Sequence, residues 1–192
     1  MSPSGVRLVI EVPRWEERPR AGDSVAVAGC CLTVADEPKR DPSGAHFLRF
    51  DVVSETLEKT TLGRLEHGAR VNIEASLRAD SALGGHMVQG HIEGIGVVES
   101  VSADAADWRL VIRPPGALMP CIVPKGSVAV DGVSLTVAAA ARDSFSVALI
   151  PTTLERTTLG ALRPGGACNI ETDILARTVV HFMRNYSGSA AE

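Results

Sequence analysis

The sequence predicts an all-β protein built from two tandem, similar β-barrels followed by a C-terminal α-helix. Three segments occur twice in the same order: 7–13 returns at 109–115, 24–34 is nearly copied within 125–137, and 55–76 returns at 152–173. The copies lie roughly 100 residues apart, a period too long for a solenoid, so they indicate a duplicated domain. Each copy contains several short strands and one helical turn, which favours a small closed barrel over a βαβ sheet.

The strands of the first half are short apolar or alternating runs. They are predicted at 7–12, 24–34, 47–53 and 69–76. Pro13 ends the first run, and Gly29 interrupts the second, which predicts a bulge or the close approach of another backbone. Residues 54–63 are predicted to form a short helical turn closed by Gly63.

The second half repeats this order with one additional strand. Its strands are predicted at 95–101, 109–115, 125–137, 145–150 and 167–173, with a helical turn closed by Gly160. Only MSPSGV precedes the matching block of the first half, so the first barrel is predicted to lack its N-terminal strand. Because an unclosed barrel exposes strand edges, we expect the natural start to lie about a dozen residues upstream. The alternative is a natural loss that leaves a binding protein or a poor enzyme.

Composition narrows the class of protein. Two halves of about 90 residues are each just large enough to bury a core. A net charge of -4 without a basic run argues against a nucleic-acid partner. The chain has no apolar run of about 20 residues and no signal-peptide pattern, so we expect a cytoplasmic protein that does not enter membranes.

The cysteines and histidines argue against a metal site. Cys30, Cys31, Cys121 and Cys168 show no CxxC spacing, which disfavours structural zinc and a disulfide framework. The adjacent pair Cys30 and Cys31 is predicted to point to opposite faces of a strand. His86 and His91 are five residues apart with no HExxH arrangement, which disfavours a metal site.

The C-terminal segment 174–186 carries a partly helical apolar stripe. A helix beyond both barrels has little of its own chain to cover, so a partner subunit is expected to cover it. The resulting division is 1–82 for the first barrel, 83–173 for the second, and 174–192 for an oligomerisation helix and a disordered tail.

The positions at which the two copies differ are candidates for one-sided chemistry, because positions that the fold requires should agree. These pairs are Gly22 and Lys125, Ala28 and Asp131, Cys31 and Ser134, and Ser76 and Asp173. Asp131 is interpreted either as a turn residue or as a functional one. His86, between glycines and apolar residues, is interpreted as a structural hydrogen-bonding residue.

The sequence resembles the riboflavin synthases from about 7 to 186. Its most specific motifs are GCCLTV at 29–34, GGHMVQGH at 84–91, KGSVAVDGVSLTV at 125–137 and LIPTTLERTTLG at 149–160. The resemblance implies two Greek-key lumazine-binding barrels, a homotrimer assembled through the C-terminal helices, and a substrate site between the N-terminal barrel of one subunit and the C-terminal barrel of a neighbour. It implies the conversion of two molecules of 6,7-dimethyl-8-ribityllumazine into riboflavin and 5-amino-6-ribitylaminouracil, with lumazine synthase as a further partner. Because this reaction is a dismutation, the resemblance implies no redox cofactor or metal.

The resemblance also implies the site residues. The first pocket would use Ser24, Cys31, Leu32, Thr33, Glu55 and Thr56. The second would use Gly90, His91, Ile92, Lys125, Ser134, Leu135, Thr136, Ile150, Thr153 and Asp173. Catalytic roles would fall on His91, Cys31, Ser134 and Lys125, with His91 moving protons because its ordinary pKa lies near neutral pH.

A second hypothesis is a non-catalytic lumazine- or flavin-binding protein on the same fold. It would hold the ligand without converting it. The presence of Cys31, His91, Lys125, Ser134 and Asp173 favours the enzyme. Turnover of the lumazine separates the two hypotheses.

Overall fold

The computed structural model describes residues 5–12, 19–40, 45–104 and 107–186. The start of the loop predicted after the first strand, the middle of the loop before the third, and the tail predicted to be disordered lie outside these residues. Within them, no helix is both long and apolar enough to cross a membrane.

The elements of the two halves follow the same order. In the first half they are β1 (Gly5–Val12), β2 (Ser24–Val27), β3 (Cys30–Thr33), β4 (Lys39–Arg40), β5 (His46–Val53), α1 (Ser54–Lys59) and β6 (Ile73–Ala75). In the second half they are β7 (Gly94–Asp104), β8 (Asp107–Arg113), β9 (Ser127–Val130), β10 (Val133–Ala140), β11 (Phe145–Leu149), α2 (Pro151–Arg156) and β12 (Ala167–Thr172). The chain then forms α3 (Ile174–Tyr186), and 3-10 turns lie at Thr61–Arg64, Gly116–Cys121 and Thr158–Ala161.

The second half is a closed barrel, as the sequence predicted. Its strand order is β10-β11-β8-β7-β12-β9, and every neighbouring pair is antiparallel. Alternate side chains of each strand point inward, and the largest of these, including Phe145, Leu110, Ile112 and Ile170, are at most 1% exposed. Each strand of this barrel has a neighbour on both sides, although β10 pairs with β11 only from Val137 onward.

The first half lacks a counterpart of β7 within the described residues. β7 pairs with both β8 and β12, whereas the equivalent strands β1 and β6 pair only with β5 and β2. The described strands form two three-stranded sheets, β1-β5-β4 and β3-β2-β6, which a bridge between Val34 and Phe50 connects. Phe50, Val25 and Val27 are fully buried between these sheets, so the half keeps a single core.

The predicted strand 24–34 is instead a hairpin. Ala28 and Gly29, with φ of 46° and 78°, form a two-residue turn between β2 and β3. Asp131 and Gly132, with φ of 46° and 82°, form the same turn between β9 and β10. Two positive φ values are the signature of a type I′ turn, which matches the twist of the strands that it joins.

The two hairpin turns pack against each other at the junction of the halves. A Cβ on Gly29 would lie 2.4 Å from the Gly132 nitrogen, and a Cβ on Gly132 would lie 2.8 Å from the Gly29 Cα. Only glycine permits such contact. The close backbone approach predicted at Gly29 is therefore confirmed, and the approaching backbone is its own repeat.

An asparagine from each half hydrogen-bonds to the other half. Asn169, which is fully buried, accepts from the Thr61 N–H at 2.7 Å and donates from Nδ2 to the Ala28 carbonyl at 2.8 Å. It follows Cys168 at the start of β12, where the strand passes close to the first half. The side chain thus satisfies a 3-10 turn and a hairpin turn that belong to the other barrel.

Asn72 is the repeat counterpart of Asn169 and makes the reciprocal pair of bonds. It accepts from the Thr158 N–H at 2.7 Å and donates to the Asp131 carbonyl at 3.0 Å. The equivalence of the two pairs shows that the halves meet with approximate two-fold symmetry. Because these four bonds connect residues far apart in sequence, they specify how one half is oriented on the other.

Helix α3 extends beyond both barrels. Asp173 caps its first turn by accepting from the Leu175 N–H at 2.8 Å. Five of its large side chains are between 55% and 64% exposed, whereas Ile174 and Val180 are half-buried; the five are Leu175, Val179, Phe182, Met183 and Tyr186. The apolar stripe predicted from the sequence is therefore present, and most of it is not covered by the described part of this chain.

Candidate functional site

A cleft of about 860 Å³ lies where the two halves and their connecting segment meet. The first half contributes Ala26, Gly29, Cys31 and 72–77 to its walls, the connecting segment contributes 82–86 and 88–90, and the second half contributes 131–134, Arg156 and Thr157. Three predicted site residues, Cys31, Gly90 and Ser134, line this cleft. A concave surface with a few convergent polar groups is the usual form of a small-molecule site.

Cys31 and Ser134 occupy equivalent positions in the two halves. Cys31 pairs with Ala26 across the β2–β3 hairpin, and Ser134 pairs with Ala129 across the β9–β10 hairpin. Cys31 is exposed while Cys30 is 6% exposed, as predicted from strand alternation. The duplicated hairpins thus present the same surface with a thiol in one half and a hydroxyl in the other.

In each half, the alanine that pairs with Cys31 or Ser134 also pairs, on its other side, with a glutamate. Glu74 of β6 pairs with Ala26, and Glu171 of β12 pairs with Ala129. Glu74 is exposed and lines the cleft, whereas Glu171 is 1% exposed. Neither glutamate was among the site residues predicted from the sequence. The signal was present in the NIE tripeptide, which both copies share at 72–74 and 169–171.

His86 hydrogen-bonds to Ser134 in the cleft. The distance from its Nδ1 to the Ser134 Oγ is 2.8 Å, and its Nε2 is buried without a partner among the described residues. Gly85 lies against the same hydroxyl, since a Cβ there would be 3.1 Å from the Ser134 Oγ. The hydrogen-bonding role assigned to His86 from the sequence is therefore observed, and its partner is a predicted catalytic residue.

A gap in strand pairing lies beside each of the predicted site segments 31–33 and 134–136. The chain that follows β3 pairs with β5 only from the bridge between Val34 and Phe50 onward, and β10 pairs with β11 only from Val137 onward. The edges of 31–33 and 134–136 are therefore not covered by these neighbouring strands. Open strand edges present backbone N–H and C=O groups that can bind the polar edge of a flat ligand.

The side chains around the two gaps differ in accessibility. Leu32 and Leu135 are 7% and 9% exposed and belong to the apolar cores of the two halves, so their side chains do not line these gaps. The threonines that follow them, Thr33 and Thr136, are exposed. Ser24 pairs with Thr33 across the first hairpin.

The helices α1 and α2 contribute the predicted residues that follow β5 and β11. Glu55 forms an exposed ion pair with Lys59 at 2.6 Å, and this hydrogen bond lowers the Glu55 pKa. Ile150, immediately before α2, is 63% exposed. Thr56 and Thr153 each accept a hydrogen bond at the backbone carbonyl from a threonine hydroxyl four residues later.

The segment 90–92 lies between the two halves. Gly90 donates to the Glu171 carboxylate and accepts from the Cys31 N–H, so it contacts both barrels. His91 is exposed, and Ile92 packs against the core of the first half.

Lys125 adopts a left-handed backbone with a φ of 64°. Its N–H donates to the Val137 carbonyl at 2.8 Å, just as Gly22, at φ 90°, donates to the Val34 carbonyl at 2.9 Å. A left-handed conformation costs a non-glycine residue about 1–2 kcal/mol. The second half thus tolerates strain at a position where the first half has glycine, as is common at functional sites.

Burial perturbs the titration of groups at this junction. Burial raises the pKa of Asp131 to about 6, although the Asn169 N–H that donates to its carboxylate at 2.8 Å opposes the shift. Burial also raises the pKa of the Cys30 thiol to about 11 and that of Cys168 further, which makes both poor nucleophiles. Cys31 is the exposed thiol of the chain.

Comparisons with known proteins agree with this geometry. The pattern of the lumazine binding domain family matches residues 4–76 and 89–173. A riboflavin synthase from Mycobacterium bovis is 43% identical over 183 residues, which cover 93% of this chain and 88% of that protein. A riboflavin synthase from Actinobacillus pleuropneumoniae is 39% identical over 163 residues, which cover 84% of this chain and 73% of that protein.

Solved structures share the fold. LumP in complex with 6,7-dimethyl-8-(1'-D-ribityl) lumazine superposes with a TM-score of 0.72 at 24% identity, covering 86% of this chain and 87% of that one. LumP in complex with riboflavin gives a TM-score of 0.72 at 24% identity, covering 90% of both chains. The likeness shows that this chain shares the fold of LumP.

Proposed function

Because the chain belongs to the lumazine binding domain family, and within it to the riboflavin synthases, we propose that it converts two molecules of 6,7-dimethyl-8-ribityllumazine into riboflavin and 5-amino-6-ribitylaminouracil. The reaction transfers a four-carbon unit from one lumazine to the other, so the enzyme is a transferase. The observation that carries the proposal is the pair of equivalent surfaces with different polar groups, Cys31 in one half and Ser134 in the other. A reaction between two identical molecules needs two sites of one shape that treat their occupants differently.

We propose that each lumazine lies along an open strand edge beside β3 or β10. The backbone around Thr33 and Thr136 would bond the polar edge of the ring, and the small side chains of Cys31 and Ser134 would let the ring approach. Holding two rings face to face supplies an effective concentration equivalent to about 7–11 kcal/mol in the best intramolecular reactions. Positioning then contributes more than any single acid or base.

Proton movement is assigned to His91. The 7-methyl protons of the lumazine are acidic because the carbanion is delocalised over the ring, so a base of modest strength is sufficient. His91 is exposed and follows Gly90, whose carbonyl accepts from the Cys31 N–H at 2.9 Å. This proximity supports a role for His91 beside the Cys31 surface.

Lys125 is proposed to stabilise charge on the substrate. Lys125→Gly is expected to leave the folded state as stable or more stable, by up to about 1 kcal/mol, because glycine relieves the left-handed strain. Turnover is expected to fall by about tenfold, equivalent to about 1.4 kcal/mol of transition-state stabilisation. Urea denaturation and steady-state kinetics measure the two effects. Parental turnover in this variant would show that Lys125 does not take part in the reaction.

We further propose that α3 joins subunits into a homotrimer and that the site is completed between subunits. The exposed apolar side chains Val179 and Phe182, one turn apart on α3, support this arrangement. Replacing both with Asp is expected to give monomers, because carboxylates at an apolar helix interface have no partners. Light scattering after gel filtration measures the mass, with Asn185→Asp on the same helix as the control.

Turnover tests the shared site in the same samples. Activity is expected to fall together with the assembly. A monomer that retains the parental rate would contradict a site shared between subunits, and an unchanged mass would contradict assembly through α3.

The location and the remaining partner are also proposed. The four free thiols of the described chain suit the reducing cytoplasm. Lumazine synthase remains a proposed partner of the assembled enzyme.

The proposed function is tested by incubating the purified protein with 6,7-dimethyl-8-ribityllumazine. Riboflavin absorbance is expected to rise, with one riboflavin formed for every two lumazines consumed. The non-catalytic hypothesis predicts binding, detected by calorimetry, without riboflavin formation. That result would overturn the proposed function.

A further inference from the structure

The two repeat-equivalent glutamates, Glu74 and Glu171, have different surroundings. Glu74 is exposed, whereas Glu171 is 1% exposed although it occupies the same register on the second barrel. Removing a carboxylate from water is unfavourable unless hydrogen bonds compensate it. The burial of Glu171 therefore requires specific partners.

Those partners are backbone groups of the segment that connects the halves. The Gln89 N–H donates to Oε1 of Glu171 at 2.7 Å, and the Gly90 N–H donates to Oε2 at 2.9 Å. Bonds to an ionised acceptor are about twice as strong as neutral ones. Arg177 of α3 donates to the Gln89 side chain at 3.3 Å, so this segment is held from two sides.

The opposite side of Gly90 contacts the first half. Its carbonyl accepts from the Cys31 N–H at 2.9 Å, and its φ is 76°. A Cβ on Gly90 would lie 2.6 Å from the Cys31 Cβ, so the two backbones are in direct contact. Gly90 is thus enclosed between the Glu171 carboxylate and Cys31, and His91 follows it in the chain.

We propose that Glu171 is a positioning residue for the reaction. Its carboxylate, which belongs to the second half, anchors 89–90 so that Gly90 holds the Cys31 backbone and His91 leaves the segment in a defined direction. The second half thereby sets the geometry of the reactive surface of the first. This inference rests on the proposed function, and it explains why one of two equivalent glutamates is buried.

The test replaces Glu171 with Gln, which keeps the shape of the side chain but presents an NH₂ group to one of the two backbone N–H donors. We expect kcat to fall by about 10- to 100-fold with a smaller change in KM, because small displacements of reacting groups are costly. We also expect iodoacetamide to alkylate Cys31 about threefold faster or more, since the segment that contacts its backbone and Cβ is released. Peptide mapping separates Cys31 from the three buried cysteines.

Two further variants sharpen the test. Glu66→Gln, at an exposed turn outside the cleft, should leave kcat and the alkylation rate unchanged. Gly90→Ala disrupts the contact between Gly90 and Cys31 from the connecting segment. It should reproduce the effects of Glu171→Gln. Because both changes break one chain of contacts, the double variant should be no worse than the more severe single variant.

The proposal fails if folded Glu171→Gln or folded Gly90→Ala keeps the parental kcat and alkylation rate. It also fails if both variants are unfolded, because the contact would then be needed for folding and not for positioning. If the parental protein forms no riboflavin, the proposed function fails. The alkylation comparison, which requires no turnover, still decides the link between Glu171 and Cys31.

Discussion

Replacing Asn169 with alanine is expected to lower the free energy of unfolding by about 2–5 kcal/mol. The substitution leaves the Thr61 N–H and the Ala28 carbonyl without their partner at the buried junction. Each unsatisfied buried group costs about 1–3 kcal/mol, and the cavity left by the amide adds to the loss. Few single substitutions in a chain of this size should destabilise it more.

Urea denaturation measures this loss, with Asn185→Ala as the matched control. Asn185 donates to the His181 carbonyl at 2.8 Å on the exposed surface of α3, so its removal should cost little. Asn72→Ala should give a smaller loss than Asn169→Ala, because Asn72 is only partly buried. A loss at Asn169 no larger than that at Asn185 would show that the reciprocal amides do not hold the halves together.

Replacing Asp131 with asparagine is expected to stabilise the protein by about 1–3 kcal/mol at pH 8. Burial raises the pKa of Asp131 to about 6, so the folded state at pH 8 holds a carboxylate that would be more stable in water. Asparagine removes that charge, and its side-chain oxygen can still accept from the Asn169 N–H. The Asn-Gly pair that results is also the preferred sequence for a type I′ turn.

The sign of the pH dependence follows from the raised pKa. The contribution of the Asp131 carboxyl to stability is fully present below the unfolded pKa of 3.8 and is lost as pH rises through about 6. The advantage of Asp131→Asn should therefore be small at pH 3.5, grow between pH 4 and 6, and stay constant above. Denaturation curves at several pH values measure it.

Asp51→Asn provides a control of opposite sign. The hydrogen bond from Arg7 at 2.8 Å lowers the Asp51 pKa, so its contribution is present above the unfolded pKa and is lost as pH falls. The effect should be slight because the pair is exposed to solvent. An Asp131→Asn variant that is less stable than the parent at pH 8 would show that the buried carboxylate has a compensating role.

The sequence predicted much of the architecture because its signals are local or repeated. Alternating apolar residues identified the strands, and the repeat of whole blocks identified two equivalent units. Gly29, inside an apolar strand pattern, indicated a bulge or a close backbone approach. The periodic stripe of α3 indicated an exposed apolar face. Each of these inferences depends on residues that are neighbours in sequence or that match at a constant spacing.

The prediction of one continuous strand over 24–34 was wrong. A continuous alternation from 24 to 34 suggested one strand, but the positive φ of both Ala28 and Gly29 reverses the chain and makes a hairpin. The Asp-Gly pair at 131–132 carried a stronger turn signal than the Ala-Gly pair. Because the two segments are repeats of each other, the turn predicted at 131–132 would also have predicted a turn at 28–29.

The sequence by itself determined that two copies of one strand pattern exist and which side chains each presents on its duplicated hairpin. It did not determine which copy of a shared motif is buried. NIE occurs at 72–74 and at 169–171, yet Glu74 faces the cleft while Glu171 lies beneath 89–90. Only the tertiary structure decided this difference. It also decided the contact of His86 with Ser134 and that of Asn169 with Thr61. The physical reason is that these contacts join residues 48 to 108 positions apart, and they form only when the halves dock and the connecting segment takes its path between them.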